Sequence, residues 1–338
     1  MNKILTIAIP TYNRKEKLLR TLKIIVPQIT EEIKLLILDN NSSYDIFEIT
    51  NEIPLIDKVN IEIKKNIVNI GGNANIARCF EYTDTEWMWL LGDDDIPTEN
   101  SVKIIMHDLK NKKLDDICMV KYSSTIDTIS KDEEILGLEK LIDYLSIKEP
   151  QKGFGNFLFI SNSLYNIKKL KNFTLYGYQY TNAYLPHLAI LFFYLNKNKM
   201  DGILFLESFL ITVEDDRDVY SSITVGLGIL NSTKNMFFDI SIESEKKMRK
   251  LFTLFTNNYR NNFVQLSSKV EKDKNYYRNM LLYFYKESSY EYSLIQKIEF
   301  HILYFIFDKP LLMKKISKFS KKFKQAIEQK EINLYERI

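Results

Sequence analysis

Three consecutive carboxylates follow a short apolar segment in the first third of the chain. The segment Trp87–Leu91 is typical of a buried strand, Gly92 ends it, and Asp93, Asp94 and Asp95 come next. Adjacent negative charges repel one another, so they need either water at a solvated turn or a divalent cation that prefers oxygen ligands, such as Mg²⁺ or Mn²⁺. Because α/β sheets bind ligands at the carboxyl ends of their strands, this position favours a site.

Three further polar loops are predicted to reach the same edge of the sheet. Each follows an apolar run that is typical of a strand, so each leaves the sheet at a carboxyl end. A Gly-Gly turn in the last loop permits close approach of the backbone, and the helix that follows it favours anions at its N-terminus. The loops contain Pro10, Thr11, Tyr12, Asn13 and Arg14, then Asp39 and Asn41, and then Asn69 and Gly71. Together with the acidic triplet they predict a nucleotide site with a metal ion at the diphosphate.

Strands and helices must alternate to place these loops on one edge. Aliphatic and β-branched runs are typical of strands, and apolar residues at helical spacing follow the first, third and fourth of these runs. The predicted strands are 5–9, 35–38, 59–63, 87–91 and 117–122, with helices over 18–26, 76–80 and 99–110. This alternation predicts βαβ units, a mostly parallel sheet and right-handed crossovers.

The pattern changes in the second half of the chain. It predicts a helix over 131–148, strands over 154–160 and 203–213, and a helix over 184–195 between these strands. After Gly228 there is no glycine and only one proline, Pro310, and the sequence becomes helical, aromatic and basic. We therefore place a domain boundary near residue 230.

The composition excludes several classes of protein. Of the 338 residues, 45% are hydrophobic and 27% are charged, which is ordinary for a soluble globular protein. The net charge of +3 is too small for a nucleic-acid binder. Two cysteines exclude a disulfide framework and indicate a cytoplasmic protein. The N-terminus does not resemble a signal peptide, and no apolar run reaches the ~18 residues of a membrane span.

The order and spacing of four segments resemble glycosyltransferase family 2, whose enzymes have the GT-A fold. The segments are LTIAIPTYNR, LILDNNS, NIGGNANIAR and LLGDDD. The last resembles the abequosyltransferase-like subgroup of bacterial surface-polysaccharide enzymes. The resemblance implies an α/β, Rossmann-like GT-A domain over 1–230, with donor binding in 1–125 and the acceptor side in 126–230. A helical, basic region over 231–338 would follow it.

The resemblance also implies roles for residues around the donor. The opening loop and Asp39 would hold the nucleobase and ribose, and Arg78 would support the nucleotide loops or the diphosphate. In the family's Asp-x-Asp pattern the first Asp contacts the ribose and the last holds the metal. Here Gly92 takes the first position, so one carboxylate is missing and Asp93 or Asp95 would compensate. The implied metal ligands for Mn²⁺ or Mg²⁺ are Asp94 and Asp95, with Asp93 on the nucleotide.

The family inverts the anomeric carbon in one displacement, with a carboxylate base in the acceptor half. That base normally lies in an acidic pair before a helix, but residues 176–195 contain no Asp or Glu. His187, at the start of the predicted helix, has a suitable ordinary pKa, and Asp215 lies in an acidic cluster after a predicted strand. Packing of His187 and a solvated loop around Asp215 are the alternatives. Acceptor contacts are predicted for Asn156, Ser161 and Tyr178.

These expectations define a function and its rivals. The donor would be a nucleotide sugar, first a UDP-sugar, with CDP- and dTDP-sugars as alternatives, and the enzyme would transfer a hexose or deoxysugar. The acceptor would be a glycan or a lipid-linked sugar in lipopolysaccharide or capsule biosynthesis. One rival is a nucleotidyltransferase, although such enzymes carry a Gly-rich signature loop where this chain has PTYNR. The other is an inactive glycan-binding or assembly protein.

The C-terminal region has two interpretations. Its apolar residues can line one side of a helix while lysines occupy the other, which is typical of a peripheral protein on an anionic membrane surface, here the inner face of the plasma membrane. A helical cap or a homodimer through these helices is the alternative. The apolar residues are Phe300, Leu303, Tyr304, Ile306, Phe307, Leu311, Leu312, Ile316, Phe319 and Phe323.

Overall fold

The computed structural model describes residues 3–183, 185–212, 228–229, 236–256, 274–289, 292–306 and 309. The chain divides into two compact units. The first comprises Met1–Arg217 with Met236–Leu251, and the second comprises Asp218–Asn235 with Phe252–Ile338. The boundary near residue 230 stays a prediction.

An eight-stranded sheet in the order β3-β2-β1-β4-β8-β6-β9-β7 forms the centre of the first unit. Its strands are β1 (Leu5–Thr11), β2 (Ile33–Asp39), β3 (Asn60–Lys65), β4 (Trp87–Leu90), β6 (Ile117–Ser123), β7 (Glu133–Leu136), β8 (Ser163–Asn166) and β9 (Gly202–Phe209). A separate pair joins β5 (Ile96–Pro97) to β10 (Ile211–Thr212).

Helices flank this sheet. They are α1 (Lys15–Ile25), α2 (Ile46–Thr50), α3 (Gly72–Tyr82), α4 (Ser101–Asn111), α5 (Leu138–Ser146), α6 (Pro150–Leu158), α7 (Ile167–Leu170), α8 (Thr174–Gln179) and α9 (Pro186–Lys197). Beyond the sheet come α10 (Ile242–Thr256), α11 (Lys274–Ser288) and α12 (Leu294–Ile306). The predicted fold class, a mostly parallel sheet flanked by helices with further helices toward the C-terminus, is confirmed.

The central strands are buried on both faces, which explains their nearly continuous apolar sequences. Every residue of β2, β4 and β6 is buried. Strands β1, β2, β3 and β4 run parallel, whereas β8 runs antiparallel to both of its neighbours and β7 to β9. The parallel part therefore carries the first half of the chain, where the polar loops were predicted to converge.

Register places the ends of the first three strands side by side. Thr11 of β1 is paired with Asp39 of β2, which is paired with Lys65 of β3. On the other side of β1, Ala8 is paired with Leu90 of β4, three residues before the first Asp of the acidic triplet. The loops after these four strands consequently leave the sheet at one edge.

Three elements of the second half differ from the prediction. Residues 154–160, predicted as a strand, lie mainly in α6, because Pro150 opens a helix whose Phe154 and Phe157 are buried one turn apart. The helix predicted over 131–148 is β7 followed by α5, separated at Gly137, whose φ of +77° suits glycine. The single strand predicted over 203–213 is divided into β9 and β10.

Among the described residues, no helix is long and apolar enough to cross a membrane. Most of the predicted C-terminal amphipathic pattern, from Phe307 to Phe323, lies outside the described residues.

Replacing Gly202 with alanine should lower the free energy of unfolding. A Cβ at this position would lie 2.2 Å from the Ile135 carbonyl oxygen and 2.8 Å from Leu136 Cδ2, where β9 pairs with β7. We expect a loss of roughly 1–3 kcal/mol, the usual cost of overpacking, measured by urea unfolding. Gly72→Ala is the matched control, because no atom outside its own helix lies within 4 Å of the new Cβ. An equal loss in both variants would contradict the packing explanation.

Candidate active site

Asp93 is the buried member of the acidic triplet and binds the opening loop. Its Oδ2 accepts a hydrogen bond from Thr11 Oγ1 at 2.7 Å, and its Oδ1 accepts one from Arg14 Nη1 at 2.9 Å. Burial raises the pKa of Asp93, while Thr11 and Arg14 oppose that rise. Since both oxygens are engaged within the protein, Asp93 fixes Thr11 and Arg14 and would act on a nucleotide through them.

Asp94 faces outward. Its side chain is 39% exposed, and its Oδ2 lies 2.8 Å from Arg14 Nη1, so one guanidinium bridges the carboxylates of Asp93 and Asp94. The backbone carbonyl of Asp94 accepts a hydrogen bond from Arg20 Nη2 at 2.8 Å. Thr21 Oγ1 lies within hydrogen-bonding distance of the carbonyls of Asp93 and Asp95. Helix α1 therefore holds the backbone of the triplet while the Asp94 carboxylate stays accessible.

Asp95 occupies the space that a side chain at position 92 would need. Its Oδ2 accepts a hydrogen bond from Ser161 Oγ at 2.5 Å, and Ser161 Oγ accepts one from the Gly92 amide at 2.8 Å. A Cβ on Gly92 would lie 2.8 Å from Asp95 Oδ2 and 3.2 Å from Ser161 Oγ. Burial, together with the charges of Asp94 and Asp93, raises the pKa of Asp95 to about 7. The Asp95 carboxylate therefore lies next to position 92, and its compensation for an aspartate there stays a prediction.

Asp39, at the end of β2, has one carboxylate oxygen that accepts a hydrogen bond and one that accepts none from the described residues. It is fully buried, and its Oδ1 accepts a hydrogen bond from the Ser42 amide at 2.8 Å. Its Oδ2 is buried without a hydrogen-bond partner among the described residues and lies 3.6 Å from Lys65 Nζ. A buried carboxylate oxygen normally accepts hydrogen bonds, so this atom fits a ligand that donates one.

The loop after β1 is hydrogen-bonded to the loop after β2. Asn13 and Asn41 both adopt left-handed backbone conformations, with φ of +53° and +68°, which asparagine tolerates better than most residues. The Asn13 amide donates to Ser42 Oγ, and Asn13 Oδ1 accepts from the Ser43 amide, each at 2.9 Å. These bonds hold two of the four loops at a fixed distance. Of the remaining predicted residues here, Tyr12 is exposed and Pro10 half-buried.

A chain of side-chain amides, buried at Asn40, Asn66 and Asn75 and exposed at Asn69, connects the loops after β2 and β3. Asn66 Nδ2 donates to Asn40 Oδ1 at 2.9 Å and to Asn75 Oδ1 at 3.0 Å, and Asn40 Nδ2 donates to Asn69 Oδ1 at 2.7 Å. Asn69 Oδ1 also accepts from the Gly71 amide at 2.8 Å, where φ is +87°. Asn69 and Gly71 are therefore part of a built turn before α3.

Arg78 donates to Asn66 Oδ1 and lies over the Tyr82 ring. These contacts tie α3 to the loop after β3, and the expected role of Arg78 at a nucleotide stays a prediction.

Two of the predicted acceptor contacts lie in the interior instead. Ser161 is fully buried, and its hydroxyl is used by Gly92 and Asp95. Asn156 is 3% exposed, and its Oδ1 accepts from Ser124 Oγ and from Asn162 Nδ2. The helix α6 turns Asn156 toward this polar cluster, which the strand assignment could not foresee. The Ser161 hydroxyl and the Asn156 Oδ1 are thus engaged inside the protein, and the acceptor roles of both residues stay predictions.

Tyr178 lies between α8 and α3. Its hydroxyl donates to Glu81 Oε2 on α3, and the Arg78 guanidinium is close enough to interact with it. Burial and Glu81 raise the pKa of Tyr178, while Arg78 opposes that rise. Because Arg78 also contacts Asn66 in the loop after β3, the acceptor contact of Tyr178 stays a prediction.

His187 is a core histidine. It is 3% exposed on the first turn of α9, and its ring meets the edge of Tyr165 with centroids 6.5 Å apart. Burial and the nearby Lys121 lower its pKa to about 3. An enclosed imidazole with so little affinity for a proton does not suit a base that must reach a sugar hydroxyl. The other candidate base, Asp215, lies outside the described residues.

The sequence analysis missed the buried residues that support the acidic triplet, Lys121 and Thr21. Lys121 is fully buried, and its Nζ donates to the Phe159 carbonyl at 2.6 Å, to Ser163 Oγ at 2.9 Å and to Asn162 Oδ1. These bonds fix the segment that carries Ser161. A lysine inside the apolar run of β6 was a usable signal, as was Thr21 on the buried face of α1.

The acidic triplet suits a divalent cation that is also coordinated by the phosphates of a bound nucleotide sugar. Among the described residues there is no group of three or more metal-ligating side chains, so the protein by itself offers no closed cage. Mg²⁺ and Mn²⁺ are commonly bound by one or two carboxylates together with substrate phosphates. The exposed Asp94 carboxylate meets this requirement. The buried Asp95 carboxylate, engaged with Ser161, would be the second ligand only after rearrangement.

Comparisons with known proteins agree with this geometry. The family described as Glycosyl transferase family 2 matches residues 6–177. S. aureus TarS 1-349 is similar in structure, with 14% identity, a TM-score of 0.58, and coverage of 84% of this chain and 81% of that chain. The same fragment in complex with UDP-GlcNAc gives 15% identity, a TM-score of 0.54 and the same coverage.

A third similar structure is the mannosyltransferase PcManGT from Pyrobaculum calidifontis in complex with GDP-Man and Mn²⁺. It shares 8% identity and a TM-score of 0.52, with coverage of 86% of this chain and 87% of that chain. At these identities the likeness shows the fold. No curated protein matches the sequence. Because the family match spans more than half of the 338 residues, the chain belongs to glycosyl transferase family 2 and is a glycosyltransferase of the GT-A fold.

Proposed function

We propose that this protein transfers a sugar from a UDP-sugar to a glycan or lipid-linked acceptor in bacterial surface-polysaccharide biosynthesis, by an inverting, metal-dependent displacement. The observation that carries the proposal is that two carboxylates belong to loops at the same edge of the sheet. They are Asp39, whose Oδ2 is buried without a hydrogen bond among the described residues, and the exposed carboxylate of Asp94. One can accept a hydrogen bond from a nucleoside, and the other can hold a cation at the diphosphate. The abequosyltransferase-like subgroup remains part of this proposal.

The choice of uridine rests on Asp39. Uracil and thymine carry an N3–H that can donate to a carboxylate, whereas N3 of cytosine has no hydrogen. The similar structures contain UDP-GlcNAc in TarS and GDP-Man in PcManGT, so the fold accepts more than one nucleotide. Asp39 Oδ2 can therefore accept a hydrogen bond from the N3–H of UDP or dTDP. Cytosine N4–H and guanine N1–H are donors as well, so the preference for a UDP-sugar is the part of the proposal that the donor panel decides.

The chain's own residues perform the positioning. Asp93 orients Thr11 and Arg14, and the amide chain holds Gly71 at the head of α3, whose N-terminal amides favour an anionic group. Asp94 and, after rearrangement, Asp95 would hold Mn²⁺ or Mg²⁺, which when bound neutralises charge that develops on the leaving nucleoside diphosphate. The Arg14 guanidinium offsets the triplet's charge before a donor binds.

Asp215 is the proposed base. Strand β10 pairs with β5, with Thr212 opposite Ile96, the residue that follows Asp95. Asp215 comes three residues after Thr212 in the sequence, so at most about 10 Å of extended chain joins the two residues. A general base there would remove the proton from the attacking hydroxyl, an effect of roughly 10²–10⁴-fold. His187, the other candidate, is enclosed.

A thermal-shift panel of UDP-, CDP-, dTDP- and GDP-sugars, each with and without Mn²⁺, tests the donor. We expect the largest rise with a UDP-sugar plus Mn²⁺, since stabilisation grows with ligand concentration over Kd. Asp39→Asn keeps an oxygen for the Ser42 amide but turns the second acceptor into a donor, so it should weaken UDP binding at least about tenfold. Asp45→Asn, a helix cap that asparagine can replace, is the matched control.

The panel also separates the rivals. If no nucleotide sugar stabilises the protein, the proposed donor site is wrong. Stabilisation without any turnover of donor would favour the inactive glycan-binding alternative. Family membership already argues against the nucleotidyltransferase alternative.

Asp94→Asn should lower Mn²⁺-dependent hydrolysis of the UDP-sugar by roughly 10²-fold or more, because a cation at the leaving group supplies several kcal/mol. The fold should persist, since the Arg20 contact is made with the Asp94 backbone carbonyl. Release of UDP measures the effect. Asp57→Asn, on an exposed 3₁₀ turn, is the control. Unchanged Mn²⁺ dependence in Asp94→Asn would remove the metal role.

Asp95→Asn should flatten the pH dependence of stability in metal-free buffer. The pKa of about 7 lies above the ordinary value of 3.8, so the folded state binds this proton more tightly than the unfolded state. The contribution to stability is therefore full below pH 3.8 and is lost as the pH rises through about 7. Urea unfolding across this window should show wild-type stability falling relative to the variant. Parallel curves would count against the buried carboxylate.

A further inference from the structure

The last described helix, α12, has one buried side and one exposed side. Helix α12 packs on α11 through Phe300 and Leu303, which are 0% and 4% exposed, and the Tyr285 ring lies 4.4 Å from Phe300. These two residues belong to the apolar face that the sequence predicted, and they are used inside the second unit. They are therefore not available for a membrane or for another chain.

A different face of α12 is open. Its apolar residues recur three or four positions apart, so they form one continuous stripe along the helix. Each is 53–77% exposed. We call this surface the open stripe, and it consists of Leu294, Ile295, Ile298, Ile302 and Phe305.

We propose that the open stripe docks the protein on a membrane surface that contains anionic lipid. The stripe is followed in the sequence by seven lysines and no acidic residue over positions 309–324. Of these residues only Lys309 is described, and the proposal uses the others for their charge alone. Apolar side chains that enter the lipid interface and lysines that attract anionic headgroups are the two signals that peripheral membrane binding combines.

The size of the stripe argues against a second copy of the chain as the partner. A helix of 13 residues is about 20 Å long and about 10 Å wide, so the stripe offers on the order of 200 Å². A stable protein interface needs about 800 Å² from each partner. A lipid surface requires neither a large complementary area nor a compensating acidic patch on the protein.

This inference does not depend on the donor site. It adds a location to the proposed function, because a lipid-linked acceptor would lie on the same surface. Binding to vesicles can be measured without any nucleotide, so failure of one proposal leaves the other standing.

Flotation of the full chain with phosphatidylcholine vesicles, with and without phosphatidylglycerol, tests the docking surface. We expect binding to the anionic vesicles, weaker binding to the neutral ones, and a loss of at least about tenfold in Ile298→Glu/Ile302→Glu. The matched control is Ile147→Glu/Ile242→Glu, which places the same charges on exposed isoleucines of the first unit and should bind like wild type. Circular dichroism and the thermal unfolding temperature without ligand confirm that each variant is folded.

Two results would overturn the proposal. Equal vesicle binding by Ile298→Glu/Ile302→Glu and wild type would show that the lysines alone attract the lipid. A wild-type dimer in sedimentation that this double variant dissociates, with no binding to either vesicle, would assign the open stripe to a second copy of the chain.

Discussion

The contact between Arg14 and the acidic triplet is the interaction on which the site depends. One guanidinium nitrogen lies 2.9 Å from Asp93 and 2.8 Å from Asp94, so the loop after β1 is tied to the loop after β4. Without a cation nearby, two adjacent carboxylates on a sheet edge would repel each other, and one of them is nearly buried. The arginine makes this arrangement tolerable before any donor or metal arrives.

Elsewhere in the site, buried polar groups are likewise stabilised by hydrogen bonds to other polar groups. Asparagines hold the loops after β2 and β3 through direct amide contacts, and Lys121 holds the segment behind the triplet. Buried amides and ammonium groups cost free energy unless every donor finds an acceptor, so such networks allow few alternative loop positions. The site is consequently preorganised by polar contacts made at a distance from the groups that would touch a donor.

The sequence revealed the donor half far better than the acceptor half. Strand ends in the first half coincide with abrupt changes from apolar to polar residues, so the edge that gathers Thr11, Asp39 and Asp94 could be predicted. The second half lacks that contrast. Phe154 and Phe157 suit either a strand or a helix, and only their packing decides that Asn156 points inward.

Side-chain burial was the second property of the site that the sequence could not predict. His187 and Ser161 have side chains that could do chemistry, and nothing local in the sequence tells whether such a residue faces solvent or the core. The distinction came from tertiary contacts, with Tyr165 in one case and with Asp95 in the other. Arg20 and Lys121 were overlooked for the opposite reason, since charged residues on a helix and a strand are usually assumed to be solvated.

The crowding around Gly92 makes position 92 dependent on its neighbours. A Cβ there would lie 2.8 Å from Asp95 Oδ2 and 3.2 Å from both Asp94 Oδ1 and Ser161 Oγ, so a larger residue would have to displace the ends of these side chains. An aspartate at position 92 would also add a fourth carboxylate beside two that one arginine already bridges. A redesign of this loop must therefore change positions 92, 95 and 161 together rather than one at a time.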